Sequence, residues 1–293
     1  MKFVNAKINI GLQIVRRRPD GYHDLQTLFY PVGVYAGLPE NPEPFCDLLD
    51  GRLLPDGATP QLHLSGRKVD CPPEKNLVWK AMNLFIEEEA PGMAAELWLE
   101  KHLPDGAGMG GGSADATFTL LMLAEMEKRR SGREVGRDRL ASLALRLGAD
   151  CPFFLLNSPA YAEGVGERLR PVDLDLSGYW ILAVKPSLYV STKEAFSGVT
   201  PREADFDLRL AATMPPEEWH GRVHNDFEDS LFPLHPELPA IKTLLYSLGA
   251  AYASLTGSGG ALYGIFSTRE KAEAAREEIS HRPTIEATYL LKA

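Results

Sequence analysis

The sequence predicts a fold that contains both β-strands and α-helices, and three observations support that prediction. Hydrophobic residues make up 44% of the 293 residues and charged residues 24%, proportions typical of a soluble globular protein with a substantial core. Residues 1–15 alternate aliphatic and polar side chains with the period of two that a β-strand requires. Residues 114–125 instead repeat apolar side chains at spacings of three and four, which predicts an amphipathic helix.

The length of the chain suits one large domain or two moderate domains that share a cleft. The dipeptide Ser158-Pro159 is the best candidate for a boundary. We therefore expect one domain over residues 1–158 and a second over residues 159–293.

Most other elements follow from periodicity and from glycine and proline positions. Strands are predicted at 25–32, 94–99, 179–184, 252–255 and 261–266, and an edge strand at 62–64. Helices are predicted directly after Asn76 as N-cap, from 113, over 137–147 and over 241–248, with helical pieces in 201–221. Prolines interrupt the segment 35–70, and we assign it no chemistry.

The segment Leu103–Ala116 is the strongest functional signal, because five glycines fall within residues 106–112, after a predicted strand. Glycine lets a ligand approach bare backbone amides. A helix that begins at Ser113 adds unsatisfied N–H groups and the positive end of its dipole. Together these features predict an anion site, most naturally for the phosphates of a nucleotide.

Three other interpretations of this glycine loop are weaker. A flexible linker would not pass directly into an amphipathic helix. Gly106, Gly108 and Gly111 fit the dinucleotide pattern G-x-G-x-x-G, but no second strand ends in an acidic residue at the expected distance. A Walker A loop fails because no Gly-Lys-Ser/Thr follows. The loop is therefore predicted to bind phosphate in another way.

Three further segments contain candidate residues. Lys7 and Asn9 share one face of the first strand, although a solvated lysine is an equal alternative for Lys7. Asp150 lies just past a predicted helix and before an apolar, strand-like run, so it is either catalytic or a turn residue. A second glycine loop spans 256–260, and two such loops suit a ligand held from two domains. The arginines at 16–18 are interpreted as a solvated hairpin tip.

Composition excludes several classes of function. A net charge of −9 argues against non-specific nucleic-acid binding. Three scattered cysteines predict reduced thiols in a cytoplasmic protein, and seven histidines form no zinc-binding pattern. No apolar run is long enough to cross a membrane, and the first strand begins too near Met1 to leave room for a signal peptide.

Three segments in order resemble the motifs of the GHMP kinases: Lys7-Ile8-Asn9, Pro104–Ala116 and Thr256–Gly260. Four further segments are similar to the branch of that family that phosphorylates the 2-hydroxyl of 4-diphosphocytidyl-2-C-methyl-D-erythritol in the non-mevalonate route to isopentenyl diphosphate. They are residues 6–12, 18–23, 147–153 and 163–167, so the resemblance covers the chain nearly end to end.

The resemblance implies the two-domain GHMP kinase fold, an α+β architecture. Its N-terminal phosphate-binding domain is of the ribosomal protein S5 domain 2-like type, with a left-handed β-α-β connection, and its C-terminal substrate domain is ferredoxin-like. It also implies ATP and Mg²⁺ as cofactors and a small-molecule substrate. We expect neither nucleic acid nor a membrane as partner, and a monomer or homodimer in the cytoplasm.

The resemblance also implies roles for individual residues. Asp150 occupies the catalytic aspartate position, with Lys7 as its partner. The predicted ATP-binding residues are Asn76 and Lys101 at the adenine, and Pro104, Gly106, Ala107, Gly108, Met109, Gly110, Gly111, Gly112 and Ser113 at the phosphates. The predicted substrate-binding residues are Asn9, Tyr22, His23, Asp150, Thr192 and Phe196. Ser113 is either a Mg²⁺ ligand or only a helix cap.

Two positions depart from the family's usual residues. Met109 replaces a leucine, which conserves volume. Asp115 stands where the family has asparagine or aspartate, and we expect its carboxylate to point away from bound phosphate, since the two charges would repel. Two other functions stay open: another GHMP kinase of homoserine or mevalonate type, and a non-catalytic GHMP-fold protein that binds a metabolite. Asp150 and the segment 19–23 disfavour homoserine kinase, which lacks such a base.

Overall fold

The computed structural model describes residues 1–33, 45–69 and 71–293. The chain forms two compact units that interleave along the sequence. Unit 1 consists of Met1–Ala6, Cys46–Asp105 and Gly110–Asn157, and unit 2 of Lys7–Phe45, Gly106–Met109 and Ser158–Ala293. The chain from Lys7 onward and the middle of the glycine loop thus belong with the C-terminal half. The domain bounds 1–158 and 159–293 stay a prediction.

Strands and helices are mixed throughout the described residues, which agrees with the α+β prediction. The strands are β1 (Lys2–Val4), β2 (Ala6–Arg17), β3 (His23–Val32), β4 (Asp47–Leu54), β5 (Gln61–Gly66), β6 (Ala94–Lys101), β7 (Ala160–Glu163), β8 (Arg168–Pro171), β9 (Trp180–Pro186), β10 (Tyr252–Leu255), β11 (Leu262–Phe266) and β12 (Ile285–Lys292). The helices are α1 (Leu77–Glu89), α2 (Gly111–Ser131), α3 (Arg137–Leu147), α4 (Cys151–Leu156), α5 (Thr192–Ser197), α6 (Leu208–Ala211), α7 (Phe227–Leu231), α8 (Glu237–Ser247) and α9 (Arg269–Ser280). Short 3₁₀ helices cover Pro73–Lys75 and Pro216–Glu218.

Unit 1 is one sheet with helices packed on it. The strand order is β1-β4-β6-β5, in which β5 runs parallel to β6 and the other pairs are antiparallel. Helix α2 packs on β4 and on α1, α3 and α4. Its buried face is apolar at Leu120 and Leu123, and both side chains are fully buried. This packing fixes the start of α2, where the glycine loop ends.

Unit 2 contains two four-stranded sheets, ordered β2-β3-β7-β8 and β10-β11-β9-β12. The second is antiparallel throughout, and α8 and α9 pack on it. A large apolar cluster joins β2 to this sheet through Leu12 and Ile14. Asn225 and Asp226 extend that connection, since Asp226 N donates to Leu12 O at 2.8 Å and Ile14 N donates to Asp226 Oδ2 at 2.7 Å.

Several local predictions agree with the structure and others need correction. Helix 137–147 and strand 252–255 have the predicted bounds, and Asn76 caps α1 by accepting a hydrogen bond from Val78 N at 2.8 Å. The apolar run after Asp150 is wrong as a strand, because Cys151–Leu156 is a helix with proline in its first turn. Helix α2 begins two residues before Ser113, and β9 continues through Pro186.

The segment 35–70 contains more structure than its prolines predict. Strand β4 was not predicted, and β5 is longer than the predicted edge strand at 62–64. Residues 34–44 and 70 lie outside the described residues. Among the residues that are described, no helix is both long and apolar enough to cross a membrane.

Candidate active site

The two glycine loops lie against each other within unit 2. Gly108 has φ +69°, and a Cβ placed there would lie 2.1 Å from Thr256 O. In turn, a Cβ at Gly257 would lie 2.6 Å from Gly108 O. Ala261 N also donates to Ala107 O at 3.3 Å. Only glycine permits this close backbone approach, so the second loop supports the conformation of the first.

Lys7 and Asn9 hold the first loop from β2. Lys7 Nζ donates to Asn9 Oδ1 at 2.6 Å and to Gly108 O at 2.9 Å, and Lys7 N donates to Met109 O at 2.9 Å. Lys7 is 2% exposed and Asn9 1% exposed. Asn9 is fixed in turn, because its Nδ2 donates to Thr27 Oγ1 at 3.0 Å. The predicted solvated alternative for Lys7 is therefore wrong.

The start of α2, in unit 1, presents backbone donors. Gly110 precedes the helix with φ +72°, and no side chain of the described residues caps this end. The first helical hydrogen bond runs from Ala114 N to Gly110 O at 2.9 Å, so the N–H groups of residues 111–113 lie before the helical hydrogen-bond ladder. These donors and the helix dipole suit an anion.

Asp150 lies beside this end of α2, in the same unit. It is the residue immediately before α4, which packs on α2. The next residue, Cys151, is buried and has its thiol within hydrogen-bond reach of the Ser113 hydroxyl. Burial raises the pKa of that thiol to about 11, and the nearby Asp150 carboxylate adds to the rise. The thiol is therefore neutral near pH 7, and Asp150 immediately precedes α4, beside the start of α2.

Asn76 and Lys101 line one pocket of unit 1, as the predicted adenine contacts require. The pocket has a volume of about 220 Å³, and Leu77, Asp105, Gly112 and Asp115 are among its other lining residues. Lys101 is 7% exposed, and its Nζ donates to Asp47 Oδ2 and, at 2.7 Å, to Asp115 Oδ2. Sequence reasoning missed this pair of carboxylates, because Asp47 is 54 residues away from Lys101.

The charges of Lys101, Asp47 and Asp115 depend on one another. Burial disfavours the charged Lys101 ammonium, but the Asp115 and Asp47 carboxylates outweigh burial and raise the pKa of Lys101. Burial raises the pKa of Asp115 to about 7, against the attraction of Lys101, and the Asp47 carboxylate adds to the rise. We expected the Asp115 carboxylate to point away from bound phosphate. In the structure this side chain is buried, 3% exposed, and pairs with Lys101.

The predicted cytosine residues lie in unit 2, and two of them are in contact. The rings of His23 and Phe196 stack with centroids 4.8 Å apart and planes 20° apart. Phe196 also packs edge-on against Phe227 at 4.8 Å. Tyr22 is 64% exposed, and its ring makes none of the ring contacts found in the described part of the chain. Thr192 Oγ1 lies 3.4 Å from Ser258 Oγ, beside the second glycine loop.

The surroundings of His23 favour its neutral form. Burial lowers its pKa, and the positive charge of Arg17 lowers it further. A neutral imidazole can both donate and accept a hydrogen bond, which suits the edge of a nucleobase. The sequence interpretation of Arg17 as one of several solvated arginines did not include this effect on His23.

Two buried residues that the sequence did not single out support the second loop and the strand β10 that leads into it. Asn225 Nδ2 donates to Leu255 O and Gly257 O, both at 3.0 Å. Glu228 Oε1 accepts from Leu255 N at 2.9 Å and from Ser254 Oγ at 3.1 Å. Both residues precede the loop by about 30 positions, and no local pattern indicates such contacts.

The family model for the GHMP kinases N terminal domain matches residues 76–158, and that for the GHMP kinases C terminal region matches residues 207–283. The chain belongs to the GHMP kinase family. The prediction of family and of the two-domain GHMP kinase fold is confirmed.

Three known proteins illustrate the range of similarity. The chain is 44% identical over 270 residues to the 4-diphosphocytidyl-2-C-methyl-D-erythritol kinase of Bacteroides fragilis, covering 92% of this chain and 93% of the relative. A crystal structure of 4-(cytidine 5'-diphospho)-2C-methyl-D-erythritol kinase superposes with TM-score 0.77 at 31% identity, covering 100% of this chain and 99% of the other. The homoserine kinase of Cytophaga hutchinsonii superposes with TM-score 0.64 at 17% identity, covering 99% and 95%, which shows the shared fold alone.

Proposed function

We propose that this protein transfers the γ-phosphoryl group of ATP to the 2-hydroxyl of 4-diphosphocytidyl-2-C-methyl-D-erythritol. The observation that supports this most directly is local to unit 1. Asp150 adjoins the N-terminus of α2, and the hydroxyl of Ser113 reaches the thiol of Cys151, the residue after Asp150. A carboxylate beside a helix end that binds phosphate is the arrangement that phosphoryl transfer to an alcohol requires.

Each group then has a defined role in the transfer. The 2-hydroxyl oxygen forms a bond to the γ-phosphorus, while the bond from that phosphorus to the bridging oxygen breaks and ADP leaves. Asp150 orients the hydroxyl and accepts its proton. The backbone N–H groups of the glycine loop and the ammonium of Lys7 stabilise negative charge on the phosphates. Asn9, which holds Lys7 Nζ at 2.6 Å, is the proposed contact to the acceptor hydroxyl or the γ-phosphate.

Mg²⁺ fits the donor set at the start of α2. The Ser113 hydroxyl is a hard oxygen ligand of the kind that Mg²⁺ prefers alongside phosphate oxygens. When bound, the ion neutralises charge on the phosphates. We propose Ser113 as its protein ligand, and the pairing of its hydroxyl with the Cys151 thiol orients that oxygen.

The aromatic residues of unit 2 provide selectivity for the cytidine end of the substrate. Burial and the charge of Arg17 lower the pKa of His23, which favours its neutral form, and its ring stacks on Phe196. The edge of the neutral imidazole is suited to hydrogen-bond a base. Tyr22 is exposed and provides a face on which cytosine can stack. Thr192 lies beside Ser258 and is the proposed polar contact of this pocket.

The test is ADP production with three acceptors: 4-diphosphocytidyl-2-C-methyl-D-erythritol, homoserine and mevalonate. We expect turnover only with the first. Asp150→Asn should lower kcat by roughly 10²–10⁴, the usual contribution of a general base, with a small change in KM. Asp138→Asn is the matched control, since Asp138 is an exposed aspartate in the same unit, and its kcat should stay within about twofold of wild type.

Two results would contradict the proposal. Turnover of homoserine or mevalonate in place of the cytidine substrate would overturn the substrate assignment. Binding of a nucleotide without phosphoryl transfer to any acceptor would instead favour a non-catalytic metabolite-binding protein.

A further inference from the structure

Tyr189 is a large side chain that the fold leaves in solvent between two anchored neighbours. It is 73% exposed, whereas Val190 is 4% exposed and belongs to the apolar cluster of unit 2. Leu188, the residue before it, also packs against that cluster. Single exposed apolar side chains are common on protein surfaces, so the contacts of Tyr189 decide whether it has a role.

The ring of Tyr189 lies against the backbone of Gly106, at the start of the first glycine loop. A Cβ added to Gly106 would lie 3.0 Å from Cε2 and 3.1 Å from Cδ2 of this ring. Gly106 has φ +60°, and within the described part of the chain no hydrogen bond involves its backbone. The carbonyl oxygens of the next three residues do accept hydrogen bonds, two of them from Lys7. Gly106 therefore relies on the packing of the tyrosine ring.

A buried lysine fixes the segment that carries this ring. Lys185 is 4% exposed, and its Nζ donates to Pro186 O at 2.9 Å and to Leu188 O at 2.8 Å. Glu286 Oε2 lies 3.5 Å from the same nitrogen and balances its charge. Hydrogen bonds from a charged donor are stronger than those between neutral groups, so the backbone on which Tyr189 is mounted is firmly held.

The same segment also lies against the second glycine loop. A Cβ at Gly260 would lie 3.4 Å from Leu188 O and 3.7 Å from Lys185 Nζ. The second loop in turn supports residue 107, since Ala261 N donates to Ala107 O at 3.3 Å. The segment before α5 thus contacts the second loop through its backbone and the first loop through the ring of Tyr189.

We propose that Tyr189 is a positioning residue, whose ring holds Gly106 in its left-handed conformation and so orders the start of the first glycine loop before a ligand binds. Glycine has more backbone freedom to lose than any other residue, and ordering it in advance lowers the entropy cost of binding. The inference rests on the proposed function, in which this loop binds phosphate. It requires no contact between Tyr189 and the nucleotide.

The test measures the binding of ATP and of inorganic triphosphate to the full chain by calorimetry. Tyr189→Ala should weaken the binding of both ligands by a similar factor of about fivefold or more, the effect expected when one backbone residue is no longer ordered in advance. Inorganic triphosphate has no base or sugar to stack on the ring, so an equal loss for both ligands reports on the loop. In the kinase assay, the KM for ATP should rise by the same factor while kcat stays within about twofold.

Tyr189→Phe is the conservative variant, because it keeps the ring on Gly106 and removes only the hydroxyl. Its affinities for both ligands should stay within about twofold of wild type. Leu234→Ala is the matched control, since Leu234 is another large exposed side chain of unit 2, at 59% exposure, and both affinities should stay unchanged. Thermal melting checks that each variant is folded.

Unchanged binding of both ligands to Tyr189→Ala overturns the inference. A loss for ATP alone also overturns it, because the ring would then contact the base or the sugar directly. An equal loss in Tyr189→Phe would assign the effect to the hydroxyl and overturn the positioning role. In each of these cases the wild-type chain still binds ATP and the proposed function stands, whereas failure of the wild-type chain to bind ATP or inorganic triphosphate defeats the proposed function as well.

Discussion

Gly108→Ala is the substitution that tests the contact between the two glycine loops. The backbone of Gly108 has φ +69°, and an added Cβ would lie 2.1 Å from Thr256 O and 3.0 Å from Gly259 O. Both neighbours are backbone atoms, so no side chain can rotate away. The loop would have to move by more than 1 Å, roughly the shortfall from a normal carbon–oxygen contact.

The expected loss in the free energy of unfolding has three contributions. Alanine in the left-handed region costs about 1–2 kcal/mol, which its smaller unfolded-state entropy partly offsets by about 0.4–1 kcal/mol. Forcing extra volume into a packed site costs about 1–3 kcal/mol. Displacing Gly108 O from Lys7 Nζ, now 2.9 Å away, loses a hydrogen bond to a charged group, worth about 1.5–3 kcal/mol. We expect a total loss of about 3 kcal/mol or more in the free energy of unfolding.

Gly57→Ala is the control, because Gly57 has a similar φ of +78° and a Cβ there would meet no described atom within 4 Å. It measures the backbone strain without the steric contact. Differential scanning fluorimetry should show a melting temperature at least about 6 °C lower for Gly108→Ala, at about 2 °C or more per kcal/mol, and a fall of about 2 °C or less for the control. Equal shifts in the two variants would refute the contact between the loops.

Three further outcomes follow from unit 2. Tyr22→Ala and Phe196→Ala should each weaken binding of the cytidine substrate by about 1–3 kcal/mol. The KM for that substrate should rise while the KM for ATP stays unchanged. Unaltered KM values in both variants would contradict the proposed stacking. Arg17→Gln should raise the pKa of His23, since it removes a positive charge that lowers it, so the imidazole would protonate at higher pH during acidification; an NMR titration of His23 that does not move would contradict this. Asn225→Asp should lower stability by about 1–3 kcal/mol in chemical unfolding, because the carboxylate cannot donate to Leu255 O and Gly257 O; a wild-type midpoint would show that these bonds are dispensable.

The sequence predicted the fold class, the family and much of the local structure, since these depend on short patterns. The bounds of α3 and β10 follow from local periodicity and from the glycines beside them. The segment after Asp150 was misassigned, because a short apolar run is compatible with either a buried strand or a buried helix. Proline at the first turn of α4 was the available signal for a helix.

The environment of the proposed site residues depends on contacts that no local pattern encodes. Lys101 pairs with Asp47 across 54 positions, and only the folded chain shows that two carboxylates share one ammonium. The resemblance assigned Lys101 to the adenine, but it gave no reason for an aspartate at 115. The structure provides one, because the Asp115 side chain pairs with the buried Lys101 ammonium through Oδ2. Its Oδ1 accepts no hydrogen bond from the described residues. The role of Lys101 in binding stays a prediction.

The two glycine loops support each other's backbone conformation and so form one structural unit. A Cβ at Gly257 would press on Gly108 O, and a Cβ at Gly260 would lie 3.0 Å from Gly106 O, so each loop uses its lack of side chains to admit the backbone of the other. The second loop lies between β10 and β11, whose backbones are tied by regular antiparallel pairing. A sheet therefore holds a loop whose glycines would otherwise be free to sample many conformations. That close backbone contact explains why glycine recurs about 150 residues after the first glycine loop.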